Sequence, residues 1–303
     1  MSQTQYPIYK TKPSEVKIGH KEISIFHSDT NNVDLNVVKS FGEEWEKFHE
    51  FGEDDISRIA AEYFDIIPEE LYNNTTRMLD VGCGSGRWTK ILSRKVGKVD
   101  AVDPSDAIYA ADVLLRDSPN VRLTKATSES LPFEDNTYEL VISIGVLHHI
   151  PDTLQAMKDC VSKVKPGGYF YTYLYYKLEN RGALFKSIFY LSDLLRKVVC
   201  RLPGNLKKVT CDFLAIFLYL PFILLSKAFN KLGLKKLSDK TPLSIYRNKS
   251  FFIIRNDALD RFGTKLEQRF TRQEIHEMLS SCGLTEIIFS NSAPYWHAIA
   301  RKV

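Results

Sequence analysis

The sequence predicts an α/β chain built on a mostly parallel seven-stranded sheet with helices on both faces. Three observations carry that expectation. From Arg77 onward, short apolar runs alternate with helical stretches. The first run ends in a cluster of glycines, and two strand-like runs close the chain after its last helix. Strand and helix in alternation imply right-handed crossovers between parallel strands.

The elements follow in order. Residues 1–32 are polar with little periodicity and read as an arm. Val33–Leu71 is helical in pattern, with Phe41, Trp45, Phe48 and Phe51 on one face and Asp54 or Asp55 able to cap a second helix before Pro68. Strands are expected at Met78–Val81, Val99–Val102, Val121–Lys125, Leu140–Ile144 and Tyr169–Tyr175. Helices are expected at Trp88–Val96, Ala107–Leu115 and Thr153–Val164. Thr271 with Glu274 forms a capping box for a last helix to Cys282, with Gly283 just past its end. Thr285–Ser290 and Tyr295–Arg301 are the closing strands. Four segments result: an N-terminal arm and helical cover (1–70), a ligand-binding core (71–176), an insertion (177–249) and the C-terminal part of the core (250–303).

Composition limits the function classes. The 303 residues are 44% apolar and 26% charged, which excludes wholesale disorder and a multi-span membrane protein. A net charge of +4 does not point to nucleic acid. Five cysteines without a C-x-x-C pair argue against a disulfide framework or a zinc site, and no metal ligand set is expected. The start MSQTQYPIYK has no apolar run, so no secretory signal is read and a cytoplasmic location is expected.

The sharpest signal is Leu79-Asp80-Val81-Gly82-Cys83-Gly84-Ser85-Gly86, placed where a strand gives way to a helix. Glycines there let a ligand approach the backbone. The spacing is G-x-G-x-G, and no G-x-x-x-x-G-K-[ST] is present. Asp80 precedes the first glycine by two residues; a carboxylate there repels a pyrophosphate and suits a cation. Asp103 ends the next strand, where a ribose diol is held in such sheets.

With these residues in place, Arg77–Tyr176 resembles the class I S-adenosylmethionine-dependent methyltransferases, a Rossmann-like fold. LDVGCGSG resembles their first motif, AVDPS (Ala101–Ser105) the second, Ala126–Asp152 the third and fourth, and VKPGGYF (Val164–Phe170) the loop before the fifth strand. The resemblance implies S-adenosyl-L-methionine as cofactor. Gly82, Gly84 and Gly86 would lie under its methionine part, with Asp80 near the ammonium. Asp103 would hold the ribose, and Pro104 and Ser105 would flank adenine. Thr127 and Ser128 fall where relatives carry an Asp-Ala pair, and Ser143 lies beside the sulfonium. In-line methyl transfer requires alignment and exclusion of water, and a base only for a protonated nucleophile. His148 and His149 follow the fourth strand and are the candidates for that base. Trp45 is a candidate part of the pocket's cover. A dinucleotide-dependent oxidoreductase and a non-catalytic S-adenosylmethionine-binding adaptor are the rival readings.

The segment Lys177–Lys249 holds fifteen Lys/Arg and four acids, a net +11. Leu184–Val199 carries an apolar side, and Phe213–Ser226 has no charge for fourteen residues, with Lys207, Lys208, Lys227 and Lys231 flanking it. Fourteen residues fall short of a bilayer span, and Pro221 is expected to kink the helix. Two readings stand: a helical lid over the acceptor pocket, and an in-plane contact with anionic membrane. Tyr246, Arg247, Arg255, Asp257 and Arg269 are candidate acceptor-binding groups. The expected acceptor is a small molecule or a cell-envelope glycolipid or saccharide intermediate with an oxygen nucleophile.

Overall fold

A computed structural model describes residues 5–27, 31–35, 37–38, 60–179, 182–263 and 265–303. Phe41, Trp45, Phe48, Phe51 and the Asp54/Asp55 cap lie outside them. The described residues form two units, one of 1–177 with 266–303 and one of 178–265.

The first unit holds nine strands among the described residues: β1 (Glu15–Ile18), β2 (Glu22–Ile25), β3 (Arg77–Val81), β4 (Lys98–Val102), β5 (Val121–Lys125), β6 (Tyr138–Ile144), β7 (Val164–Tyr173), β8 (Leu284–Phe289) and β9 (His297–Lys302). Their order is β1-β2-β5-β4-β3-β6-β7-β9-β8. From β2 to β7 every neighbouring pair is parallel. The last strand, β9, runs antiparallel between β7 and β8. The expected seven strands are therefore present, and the hairpin β1–β2 adds two more at the edge beside β5. The polar arm reading of 1–32 missed it because all four residues of β1 are exposed.

The parallel strands are apolar on both faces, which is why they need helices on both. Met78, Val99, Leu123, Leu140 and Ile142 face Trp88, Leu92, Ile108 and Leu115 of the helices Arg87–Leu92 and Ala107–Leu114 and the turn after them. Leu79, Val141 and Phe170 face Met157, Cys160, Ile275 and Leu279 of the helices Thr153–Lys163 and Arg272–Ser281. The second of these carries the expected capping box in full. After β3 the chain builds outward through β4 and β5, then returns past β3 to β6. That reversal opens a crevice at the carboxyl ends of β3 and β6.

The second unit consists of the helices Ala183–Val199, Gly204–Lys231, Lys235–Lys240 and Phe251–Gly263. Its own core includes Cys211, Ala215, Tyr219, Ile223, Ile254, Ala258 and Phe262. Ile254, Ala258 and Phe262 recur every four residues, so Phe251–Gly263 buries one face inside this unit and extends it to Lys265, beyond the boundary at 249 read from the sequence. The helix over the uncharged run is also longer than expected. It is continuous for 28 residues, about 42 Å at 1.5 Å per residue. Ala215–Tyr219 is a π turn placed just before Pro221. A widened turn accommodates a ring that would otherwise press on the carbonyl of Phe217, so the helix passes Pro221 without ending.

Candidate active site

The glycine bend is fixed from its own backbone outward. Gly82, Gly84 and Gly86 all have positive φ, at 79°, 54° and 81°. A Cβ on Gly82 would lie 2.4 Å from Val146, and one on Gly86 would lie 2.6 Å from Leu115, so only glycine fits at either position. The amides of Gly82 and Cys83 donate to the carbonyl of Val102 at 2.7 and 3.0 Å, which stitches the bend to the end of β4.

Asp103 follows directly. Its carboxylate accepts from the Gly84 amide (2.8 Å), the Ser105 amide (2.8 Å) and the Ser105 hydroxyl (2.6 Å). A carboxylate has about four lone-pair positions, so about one is left for a ligand hydroxyl. Asp103 thus orders the bend as well as facing the crevice. Pro104 lies half-buried next to it and Ser105 is buried.

Asp80 is 2% exposed and accepts from the Thr89 hydroxyl at 2.6 Å. No lysine or arginine among the described residues pairs with it. Burial pushes its pKa up to about 7, partly offset by Thr89 and reinforced by the charge of Asp103. A buried carboxyl without a cation is costly to ionise alone and suits a ligand that brings a positive charge. Thr89 was not singled out from the sequence; its only signal is its place on the first turn after the glycines.

Thr127 and Ser128 are both buried at the end of β5. The Thr127 and Ser130 hydroxyls are 2.7 Å apart, whereas the enclosed Ser128 hydroxyl has no hydrogen-bond partner among the described residues. Ser143 donates to the carbonyl of Val81 at 2.9 Å, tying β6 to β3. An orphaned hydroxyl, a cation-lacking carboxyl and a bare-backbone bend together fit an adenosine carrying a positive sulfur.

The two histidines diverge. They sit in the turn Leu147–His149 after β6, with Gly145 (φ 76°) between strand and turn. His148 is 0% exposed, stacked on Tyr175 at 3.9 Å, and neither ring nitrogen has a partner among the described residues. Burial, then the neighbouring His149 and Arg269, pushes its pKa well below the usual histidine range. His149 places Nδ1 2.7 Å from the carbonyl of Leu266; a carbonyl only accepts, so Nδ1 carries the proton and Nε2 is the basic nitrogen. Gln268 braces the same turn, donating from its backbone to the His148 carbonyl and from its side chain to the Ile150 carbonyl.

Aromatic rings line this end of the sheet. Tyr63 packs on Trp88 (4.8 Å) and Tyr173 (5.4 Å), and Tyr173 is the nearest group to a Cβ built on Gly145. These rings were not identified from the sequence, because Tyr63 reaches the site only through the fold. Tyr246, Arg247 and Arg255 belong to the second unit and are engaged there. The Tyr246 hydroxyl donates to Asp257, Arg247 pairs with Asp239 at 2.5 Å, and Arg255 donates to Asp212 at 2.8 Å. Arg269 pairs with Glu267 at 2.6 Å.

The strand order, the bend and the two carboxylates are arranged as in a class I S-adenosylmethionine-dependent methyltransferase domain, whose cofactor is S-adenosylmethionine. Residues 79–172 match the family described as "Methyltransferase domain". A demethylmenaquinone methyltransferase from Staphylococcus aureus is 37% identical over 97 residues, covering 31% of this chain and 40% of the relative. The chain therefore spans less than half the length of that relative. Among solved structures, a SAM-dependent methyltransferase from Aquifex aeolicus aligns at 15% identity and TM-score 0.43, over 84% of this chain and all of that one. The YcgJ protein of Bacillus subtilis aligns at 15% identity and TM-score 0.45, over 78% and 71%.

Proposed function

We propose that the chain catalyses methyl transfer from S-adenosylmethionine to an oxygen nucleophile on a ring-bearing small molecule or a lipid-linked cell-envelope intermediate. The single observation that carries it is the buried, cation-lacking Asp80 beside the glycine bend that Asp103 holds open. When bound, the cofactor supplies a methyl group on a cationic sulfur. Asp103 and the bend would hold its ribose and methionine parts, Asp80 its ammonium, and Ser128 its adenine. Val146 and the enclosed His148 exclude water from the end of β6. His149, with Nε2 as the basic nitrogen, would accept the acceptor's proton; the enclosed His148 packs the turn. The rings of Tyr63 and Tyr173 favour a flat or apolar acceptor over a free sugar. The relative named for demethylmenaquinone supports an acceptor of that kind.

Titration calorimetry tests the reading. S-adenosylmethionine should bind and NAD should not. Asp103→Ala should weaken binding about 10- to 100-fold, the range for a hydrogen bond to a charged group. NAD binding, or unchanged affinity in Asp103→Ala, removes the assignment. For the transfer step, His149→Ala should abolish S-adenosylhomocysteine formation with a phenolic acceptor while leaving cofactor affinity intact.

A further inference from the structure

We propose that the unit Leu178–Lys265 docks on an anionic bilayer surface, with a basic cavity in it taking a phosphate headgroup. Seventeen Lys and Arg against six acids give this stretch a net +11. The cavity is about 810 Å³ and lies at the C-terminal end of Gly204–Lys231, lined by Lys227, Asn230, Lys231, Arg247, Lys249 and Ser250. No carboxylate lines it. Arg247 is fixed by Asp239, while Lys227, Lys231 and Lys249 make no ion pair among the described residues. The helix end does not oppose an anion strongly, because the amides of Leu232, Gly233 and Leu234 already satisfy the carbonyls of Ala228, Asn230 and Phe229.

The same helix exposes Val209, Phe213, Ile216, Phe217 and Leu224, spaced to share one side, opposite the buried Cys211, Ala215, Tyr219 and Ile223. A second apolar stripe, Ile188, Leu191, Leu194 and Val198, is exposed on Ala183–Val199. A soluble phosphate would leave these stripes in water, whereas a lipid brings acyl chains beside its headgroup. A second copy of the chain would bring another net +11 against this one. Crossing the bilayer is disfavoured by the helix's own polar ties: Asp212 pairs with Arg255, and Tyr219 donates to Asp257 at 2.9 Å. The helix therefore lies in the interface.

The test uses the full chain, without cofactor, in flotation with vesicles of phosphatidylcholine alone or mixed with phosphatidylglycerol. The protein should float with the mixed vesicles only, and less so at high salt. Lys227→Glu/Lys231→Glu should lower partitioning at least 10-fold, since each cation near such a surface contributes about fivefold. Phe217→Ser/Leu224→Ser, both at exposed positions, should remove the salt-resistant part. Failure to float with either vesicle overturns the proposal, as does unchanged partitioning of the Lys double variant. Resistance to alkaline carbonate extraction would instead mean a spanning helix. Saturable calorimetric binding of inorganic phosphate with no vesicle association would assign the cavity to a free anion. Dimerisation that Phe217→Ser/Leu224→Ser abolishes would assign the stripe to a second copy. Each of these three also overturns it. S-adenosylmethionine calorimetry on the same variants keeps this outcome separate from the methyl-transfer reading.

Discussion

Asp80 and Asp103 are both carboxyls at strand ends, yet they do different work. Asp103 accepts three local donors and shapes the bend, with about one lone pair left over, whereas Asp80 has one hydroxyl partner and its carboxyl is pushed toward the protonated form by burial. Its folded pKa of about 7 lies above its ordinary 3.8, so folding favours the protonated form. The stability this contributes is complete below about pH 4 and is lost as pH rises through about 7. A cationic ligand reverses the preference. Affinity for S-adenosylmethionine should rise between about pH 6 and pH 8 with proton release, and Asp80→Asn should flatten that rise. A calorimetric titration in buffers of different ionisation enthalpy measures it; a pH-independent affinity would contradict it. The identity of these two acids was legible because each stands at a fixed offset from a glycine or proline. Ser143 and Thr89 were not legible as partners, since their bonds to Val81 and Asp80 cross between elements.

Elements whose signals are local were read well. The helix Arg272–Ser281 is set by Thr271 and Glu274, which cap one another through the backbone. Thr271→Ala should cost about 1 kcal/mol, a fall of about 2–4 °C in Tm for a domain of this size, measured by calorimetry. A loss many times larger would mean that the hydroxyl does more than cap. Elements whose signals are tertiary were read poorly. The hairpin Glu15–Ile25 offers only Ile23 and Ile25 as fully buried apolar residues, too few to set a strand period. The uncharged run Phe213–Ser226 understates the helix Gly204–Lys231, because the charges at Asp212 and Lys227 bound the run but not the helix, and the π turn that absorbs Pro221 leaves no mark in composition.

At the scale of the molecule, the sequence separates a mildly acidic body from a basic insertion, and the structure sets 178–265 apart as a unit of its own. Charge and hydropathy report such a division because each unit must bury its own core. Both ends of the insertion leave from one place on the first unit. Tyr176 bridges to Phe270, and the Lys177 amide donates to the Phe270 carbonyl at 3.0 Å. Replacing Leu178–Lys265 with a short Gly-Ser linker should therefore preserve S-adenosylmethionine binding and cooperative unfolding; an aggregated product would refute this. The adjacency of those two exits has an evolutionary corollary. A segment entering and leaving through a single doorway can be gained, exchanged or lost without rethreading the sheet, since joining two neighbouring points costs little more for a long loop than for a short one. The glycine-bend unit then keeps its sheet and its crevice whatever passenger the doorway carries.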